Sequence, residues 1–264
     1  MQQLIIGKYI PIHSIIHRLD PRTKLLFAFL YVFVVFLAND AISYALLLLY
    51  TSIPLFLSRV PIRYIFSGLK PVLWLFLFTF LLHVLTTKEG NVLFQVGWFA
   101  VYEKGLQQGI YISLRFLLLI IITTMLTLTT TPIEITDGLE TLLSPFKRIG
   151  MPVHEIALMM SISLRFIPTL MEETEKIMKA QSSRGTDFAG GPLKERLRAV
   201  IALLVPLFIS AFKRAEDLAI AMEARGYRGG EGRTKFRKLQ WEYKDTLALL
   251  SLLAIALVLV LLRW

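Results

Sequence analysis

Two Arg-Gly pairs close two long helix-like stretches, and their residue types make them the first candidates for a functional site. The stretch from Val153 to Ser183 runs into Ser183-Arg184-Gly185, and the stretch from Leu193 to Ala224 runs into Ala224-Arg225-Gly226. A cation in the last turn complements the negative end of the helix dipole, and the following glycine adopts the left-handed turn that ends a helix. Helix capping explains either pair alone. Two such ends in one chain make a functional role worth testing.

A second group of candidates lies around the apolar stretch 110–128. Arg115 would place a charge inside a bilayer, which is a functional-site hypothesis by default, although it lies near enough to the end to reach the interface. The threonines between Thr123 and Thr131 could line a polar path, but hydroxyls that bond the helix backbone or a neighbouring helix explain them as well. Gly105 and Gly109 are four residues apart and would allow a close helix crossing.

Residue combinations for catalysis are missing from the sequence. There is no phosphate-binding glycine loop, no nucleophile elbow and no metal-ligand cluster. The chain has no cysteine, which excludes disulfides and thiolate metal sites. Its four histidines are scattered along the chain. We therefore expect no catalytic residues, no metal site and no cofactor.

Composition places the chain in a membrane. Of its 264 residues 55% are hydrophobic, the mean hydropathy is +0.62, and apolar residues come in blocks long enough to cross a bilayer. The formal net charge is +10, and the basic residues concentrate in the first 24 residues and in segments between the apolar blocks. This pattern predicts cytoplasmic loops beside anionic lipid head groups rather than nucleic-acid binding.

Five apolar blocks are predicted to be transmembrane spans. They are Leu25–Ala38, Ala41–Leu57, Pro71–Thr86, Ile110–Leu128 and Thr246–Leu262. Asp20 and Pro21 suit the N-cap and the first position of a helix. The basic stretch 59–70 is expected to be a cytoplasmic loop, and the nearly neutral stretch 87–109 fits the outer side. The N-terminus is then cytoplasmic and the C-terminus lies outside.

Residues 132–245 are predicted to form a cytoplasmic module, which divides the chain into 1–131, 132–245 and 246–264. Arg165 and Pro168 interrupt the apolar part of the first long stretch, and the apolar part of the second, Val200–Phe212, is too short to span a bilayer. Both continue into strongly charged helix, which favours amphipathic helices at the membrane face or crossing one another. The predicted fold class is an all-α integral membrane protein with about five transmembrane helices and a module of one short and two long amphipathic helices.

Short motifs occur in order along nearly the whole chain. They are Gly7-x-Tyr9-x-Pro11, His17-x-Leu19-Asp20-Pro21-Arg22-x-Lys24, Gly105, Gly109, Arg115, Thr129-Thr130-Thr131-Pro132, Pro145, Gly150-x-Pro152, Glu155, Arg165-Phe166-x-Pro168 and the two Arg-Gly ends. Together they resemble the transmembrane T component, of EcfT/CbiQ type, of energy-coupling factor (ECF) transporters. The first end reads Ser-Arg-Gly where the family usually has Ala-Arg-Gly, which exchanges one small residue for another.

The resemblance implies a non-enzymatic scaffold in a prokaryotic cell membrane. It would join two cytoplasmic ABC-type ATPases, A and A′, to one small membrane subunit, the S component, that captures a vitamin or a metal ion. Residues 183–185 and 224–226 would bind the ATPases, with Arg184 and Arg225 each entering a groove on one of them. A guanidinium suits this role because it donates a planar fork of hydrogen bonds to carboxylates or carbonyls. The partner ATPases would hydrolyse ATP.

Other interpretations remain open at this point. A self-sufficient permease would hold its own substrate site among the five spans, using Arg115 and the hydroxyl-rich fourth span. An intramembrane enzyme would need an acid, a base or a metal constellation, and the sequence offers none. The sequence does not name the transported vitamin or metal, because in the resembled system another subunit selects it. It also does not tell whether one or several S components share the chain.

Overall fold

A computed structural model describes residues 9–96, 99–188, 190–229 and 239–263, and these ranges are almost entirely helical. The helices are α1 (Ile15–Arg18), α2 (Pro21–Leu37), α3 (Ala41–Ser58), α4 (Ile62–Leu69), α5 (Leu73–Thr86), α6 (Glu103–Thr129), α7 (Pro132–Leu143), α8 (Val153–Ser183), α9 (Leu193–Ala224) and α10 (Tyr243–Leu262). Short 3₁₀ turns at Lys70–Val72 and Ser144–Ile149 continue α4 and α7. Strands β1 (Val92–Val96) and β2 (Phe99–Tyr102) pair as an antiparallel hairpin. The all-α class is confirmed, with this hairpin as an addition.

The chain divides into two compact units. One contains the residues up to Leu142 together with those from Leu239 onwards, and the other begins at Leu143 and contains α8 and α9. Most of α7 therefore groups with the apolar helices, whereas the sequence analysis begins its module at residue 132. The three-part division of the chain stays a prediction.

Helix α2 contributes one face to the main apolar core of the first unit. Its buried residues Tyr31, Val35 and Ala38 pack in one core with residues of three other helices: Tyr44 and Leu47 of α3, Leu118 and Ile122 of α6, and Leu252 and Leu259 of α10. Its opposite side exposes a row of phenylalanines, Phe29, Phe33 and Phe36, each more than half exposed. A helix that is apolar on its core side and on its outer side is typical of a membrane span.

Within the described residues, five helical stretches are long and apolar enough to cross a membrane. They are Ala41–Ser58, Ile62–Thr86, Glu103–Thr129, Val153–Ser183 and Tyr243–Leu262. This set includes α8 and omits α2, whereas the sequence predicts that α2 spans the membrane and that α8 does not. Helix α8 is the least apolar of the five, with a mean hydropathy of 1.2 against 2.6 for α10, and α2 has only 17 residues. That α2 spans the membrane and α8 does not stays a prediction.

Two predicted segments differ in their local structure. The stretch 59–70 is not a loop, because α4 begins at Ile62 and runs through a 3₁₀ turn into α5, forming a continuous apolar stretch to Thr86. Only residues 59–61 link α3 to α4. The basic residues Arg59, Arg63 and Lys70 favoured the prediction of a loop, although Ile65 and Leu69 are buried at helical spacing. In the predicted outer segment, the hairpin precedes α6, which begins at Glu103, seven residues before the predicted span.

The expected close crossing at Gly105 and Gly109 is confirmed. These residues of α6 face α5, and a Cβ atom on Gly105 would lie 2.9 Å from the carbonyl oxygen of Thr87. A Cβ on Gly109 would lie 3.1 Å from the Phe80 ring. Because neither glycine has a side chain, the backbones of α5 and α6 approach closely, as backbones do where small residues lie at membrane helix interfaces.

Candidate partner-binding helix ends

Helices α8 and α9 have the bounds that the sequence predicts, Val153–Ser183 and Leu193–Ala224. Each begins directly after a proline, Pro152 and Pro192, and each ends directly before an Arg-Gly pair. Proline fixes a φ angle that suits a helix start, and glycine supplies the left-handed turn that stops one. These strong local signals explain why both boundaries could be read from the sequence.

Polar contacts join α8 to α9 in an antiparallel arrangement. Glu173 accepts hydrogen bonds from Ser210, at 2.9 Å, and from Arg214, with which it also forms an ion pair. Further along α8, Gln181 donates to the carbonyl oxygen of Ala202 at 3.3 Å. As the residue number rises along α8 it falls along α9, so the C-terminal ends of the two helices lie at opposite ends of the pair.

The first end is a complete Schellman motif. The amide of Gly185 donates to the carbonyl of Ser182, and the amide of Thr186 donates to the carbonyl of Gln181, both at 3.0 Å. Gly185 has φ +87°, in the region that L-residues rarely adopt. Arg184 occupies the C-cap position, so its side chain projects from the last residue of the helical path.

The second end repeats this geometry. The amide of Gly226 donates to the carbonyl of Glu223 at 2.9 Å, and that of Tyr227 donates to Met222 at 3.0 Å. Gly226 has φ +73°, and Arg225 is the C-cap. The two C-cap arginines also share their backbone angles, with φ/ψ of −88°/6° for Arg184 and −87°/7° for Arg225. The chain therefore presents two arginines in the same local conformation.

Both ends are exposed. The six predicted site residues, Ser183, Arg184, Gly185, Ala224, Arg225 and Gly226, all have exposed surfaces. In the part of the chain that the structure describes, neither arginine side chain makes a hydrogen bond or an ion pair, and nothing lies within 4 Å of a Cβ placed on Gly185 or Gly226. The guanidinium groups thus have free donors, and the glycines leave space beside them for a partner's surface.

The two ends are widely separated along the helix pair. Extending the observed pairing of Glu173 with residues 210–214 places Arg225 level with about residue 160 of α8. Roughly 24 residues then separate the two arginines, or about 36 Å along the axis at 1.5 Å per residue. Such a distance suits two separate binding grooves better than one shared groove.

The intramembrane candidates have partners of their own chain. Arg115 donates to the carbonyl oxygen of Ala38, the C-cap of α2, at 3.3 Å, and its guanidinium lies over the Phe36 ring at 4.8 Å. It therefore complements a helix C-terminus. Thr123 and Thr127 donate to backbone carbonyls of α6 itself, as the packing interpretation of the threonines expects. Arg115 is thus bonded to its own chain through one guanidinium nitrogen, while its buried Nε has no partner among the described residues. The hydroxyl hydrogens of Thr123 and Thr127 are already bonded to the helix backbone and are not available to a transported substrate.

A buried polar cluster, here named the polar junction, has no signal in the sequence; it consists of His17, Asp20, Lys24, Thr129 and Asp245. The Lys24 ammonium donates to the carbonyls of His17, at 3.0 Å, and Thr129, at 2.9 Å. The Asp245 carboxylate accepts from the amide of Asp20 at 2.9 Å. The junction thereby joins the segment before α2 to the C-terminal end of α6 and the N-terminal end of α10.

Other contacts reinforce the polar junction. Asp20 caps α2 by accepting from the amide and the guanidinium of Arg22, as the Asp-Pro signal predicts. Burial, followed by the charge of Lys24, lowers the pKa of His17 and so favours its neutral ring. It then donates from Nε2 to the carbonyl of Ile10 and accepts at Nδ1 from Ser14. Two motifs that lie 105 residues apart in the sequence, at residues 17–24 and 129–132, thus meet in space.

Comparison with known proteins decides the family. A family model described as CbiQ, cobalt transport protein, matches residues 13–236. The energy-coupling factor transporter transmembrane protein EcfT of Bacillus subtilis is 65% identical over 263 residues, covering 100% of this chain and 99% of the relative. The protein of the same name from Exiguobacterium sibiricum is 59% identical over 260 residues, covering 98% and 99%. That from Lactococcus lactis is 48% identical over 261 residues, covering 99% and 98%. The chain belongs to the CbiQ family, in its EcfT-type branch.

Membership of the EcfT-type branch confirms the resemblance read from the motifs. Together with the apolar helices it makes the chain a multi-pass membrane protein of a prokaryote and a transport protein rather than an enzyme. The matched length covers both units, so the EcfT-type relatives align with the segment that carries the two Arg-Gly ends as well as with the apolar bundle. The names of these relatives describe the whole protein and assign no role to an individual residue.

Proposed function

We propose that this chain is the coupling subunit of an ECF-type ABC importer, which links two cytoplasmic ATPases to one small substrate-binding membrane subunit. The observation that carries the proposal is the pair of exposed Arg-Gly ends, built with the same Schellman geometry at opposite ends of one helix pair. Two similar ATPases require two similar contacts, and one copy of this chain offers both. The EcfT-type relatives are named as transmembrane proteins of energy-coupling factor transporters.

Each arginine binds one ATPase. Arg184 and Arg225 present unpaired guanidinium forks on fixed helix ends, so little conformational freedom is lost when they enter a groove. Carboxylates or carbonyls in the groove accept their hydrogen bonds. The glycines that follow, Gly185 and Gly226, end each helix without a side chain beside the contact.

Motion of the ATPases passes along α8 and α9. When the ATPases close on ATP, the two ends approach, and the angle between the helices changes at the contacts of Glu173 with Ser210 and Arg214. An apolar cleft of about 430 Å³ lies between the same helices and is lined by Phe166, Leu170, Leu218 and Met222, among others. Its apolar surface fits a helix of the substrate-binding subunit, which selects the vitamin or the metal ion.

The proposed topology places both helices in the cytoplasm. Helices α2, α3, α5 with its extension α4, α6 and α10 cross the cell membrane, with the N-terminus inside and the C-terminus outside. The exposed phenylalanines of α2 support its assignment as a span, and Arg165 together with the charged second half supports placing α8 outside the bilayer core.

Co-purification tests the proposal. The affinity-tagged chain, expressed in its native host and purified in mild detergent, is expected to bring down two ABC-type ATPases and at least one small membrane protein. The Arg184→Ala, Arg225→Ala double variant is expected to lose the ATPases, because truncating anchors of this kind costs about 2–5 kcal/mol each. A matched control, Lys176→Ala with Lys213→Ala, removes two exposed cations from the same helices, eight residues before Arg184 and twelve before Arg225. Equal recovery of ATPases with the double variant and with the control would contradict the proposed role of the arginines.

A further inference from the structure

A mixed basic and apolar groove of about 520 Å³ lies at one end of the first unit. It opens between α1, the C-terminal end of α3 and the N-terminal end of α10. Its polar side carries four basic residues, His13, Arg18, Arg59 and Lys244. These residues come from three parts of the chain that are distant in sequence, so the fold itself brings them together.

Positive charge exceeds negative charge in the groove. Arg18 and Arg59 are exposed, and neither forms an ion pair within the described ranges. Lys244 lies 3.4 Å from Glu242, which offsets one cation. The other carboxylate, Asp245, is 1% exposed and accepts from the amides of Asp20 and Glu242. Two guanidinium groups are therefore available to an anionic ligand.

Arg59 occupies an unusual backbone position. Its φ of +55° is the one positive value for a non-glycine residue among the described residues, at the C-cap of α3 where glycine would be the unstrained choice. The position carries an arginine whose side chain lines the groove. A strained position that keeps a long cationic side chain motivates a search for the role of that side chain.

The groove continues into an apolar cavity. Leu19 and Leu57 line both the groove and a neighbouring cavity of about 190 Å³, which extends along α2 and α3 past Ile53 and Pro54. Phe56, at the rim of the groove, is 77% exposed. Trp241 and Tyr243, exposed beside the groove, are the residue types found at the level of lipid head groups. Basic side chains at this level with apolar side chains beneath them form an amphipathic site.

We propose that this groove binds one anionic glycerophospholipid, with its phosphodiester between Arg18 and Arg59 and the first methylene groups of one acyl chain in the adjoining apolar cavity. Guanidinium groups form paired, charge-assisted hydrogen bonds with phosphate oxygens, and the leucines exclude water from the first methylene groups of the chain. The site rests on the membrane-spanning unit alone. A test of this site is therefore independent of the proposed ATPase contacts of α8 and α9.

Native mass spectrometry of the full chain in detergent tests the site. The delipidated protein is titrated with dioleoylphosphatidylglycerol, with dioleoylphosphatidylcholine and with glycerol 3-phosphate, which supplies the phosphate without the acyl chains. We expect one phosphatidylglycerol to be retained per chain, with at least tenfold preference over phosphatidylcholine and no retention of glycerol 3-phosphate. Replacing Arg18 or Arg59 by Gln should weaken phosphatidylglycerol about fivefold each, the usual effect of one cation at an anionic lipid surface.

Matched variants distinguish loss of the lipid site from a general loss of positive charge and from misfolding of the chain. Arg63→Gln with Lys70→Gln removes two exposed cations outside the groove and should leave retention of phosphatidylglycerol unchanged. Arg59→Gly removes the side chain while relieving the backbone, so it should keep the thermal stability of the chain in phosphatidylcholine but weaken phosphatidylglycerol about fivefold, as Arg59→Gln does. Equal retention of both lipids, unchanged retention in the Arg18 and Arg59 variants, or equally tight binding of glycerol 3-phosphate would each overturn the proposal.

Discussion

Replacing Lys24 by Met should destabilise the first unit by removing the central donor of the polar junction. Lys24 is 7% exposed, and its ammonium donates to the carbonyls of His17 and Thr129 at 3.0 and 2.9 Å. Methionine keeps most of the apolar stem, so the change isolates the ammonium group. The segment before α2 and the C-terminal end of α6 then lose their shared donor.

The expected loss of stability follows from two opposing effects. Hydrogen bonds to a charged group contribute about 1.5–3 kcal/mol each, so losing two costs roughly 3–6 kcal/mol. Removing the ammonium also relieves the cost of keeping a charge out of water, which offsets part of that loss. A net destabilisation of about 2–4 kcal/mol remains, which corresponds to a fall in Tm of roughly 4–16 °C for a chain of this size.

Thermal unfolding of the purified chain in detergent measures this change. Lys70→Met is the matched control, because Lys70 is exposed and no hydrogen bond or ion pair of its side chain occurs among the described residues. Its Tm should stay within about 2 °C of the unmodified chain. A Lys24→Met variant that unfolds at the same temperature as Lys70→Met would refute the structural role assigned to the polar junction.

Three further predictions concern glycines and topology. Gly185→Ala and Gly226→Ala should each strain a left-handed turn by about 1 kcal/mol without any clash, and each should weaken ATPase recovery. Hydrogen exchange at the helix ends measures the strain, and co-purification measures the recovery of ATPases. Unaltered exchange at residues 181–186 in the Gly185→Ala variant would contradict the predicted strain. Gly105→Ala should lower the Tm, because its Cβ would lie 2.9 Å from a backbone oxygen that cannot turn away; a Tm at or above that of the unmodified chain, as helix propensity alone predicts, would refute the close crossing. A cysteine at Lys88 should react with an impermeant thiol reagent from outside intact cells, whereas one at Lys194 should not; labelling of Lys194→Cys from outside would place α9 on the wrong side.

Local signals made parts of the fold predictable. The bounds of α8 and α9 follow from a proline before each helix and an Arg-Gly pair after it, and the start of α2 follows from Asp20 and Pro21. Each signal acts within a few residues, through φ preference or a capping hydrogen bond. The arginines at the two ends could be named from the sequence for the same reason.

Features that depend on tertiary contacts could not be predicted. Lys24 and Asp245 reach partners more than 100 and more than 200 residues away, respectively, and no periodic pattern connects these positions. The partner of Arg115 is a carbonyl of another helix, which no residue type reveals. The segment of α4 was predicted to be a loop because Arg63 within it and Arg59 and Lys70 on either side outweighed a short apolar stripe.

ATP-dependent uptake tests the coupling role of the two Arg-Gly ends most directly. Membrane vesicles contain this chain, the two ATPases and the substrate-binding subunit that co-purify with it, and uptake of that subunit's substrate is followed after ATP is supplied. The double variant Arg184→Ala, Arg225→Ala should abolish uptake, while the substrate-binding subunit still binds its substrate and the Lys176→Ala, Lys213→Ala control transports normally. Normal uptake by the double arginine variant, in a complex that keeps both ATPases, would show that the two arginines serve only as ordinary helix ends.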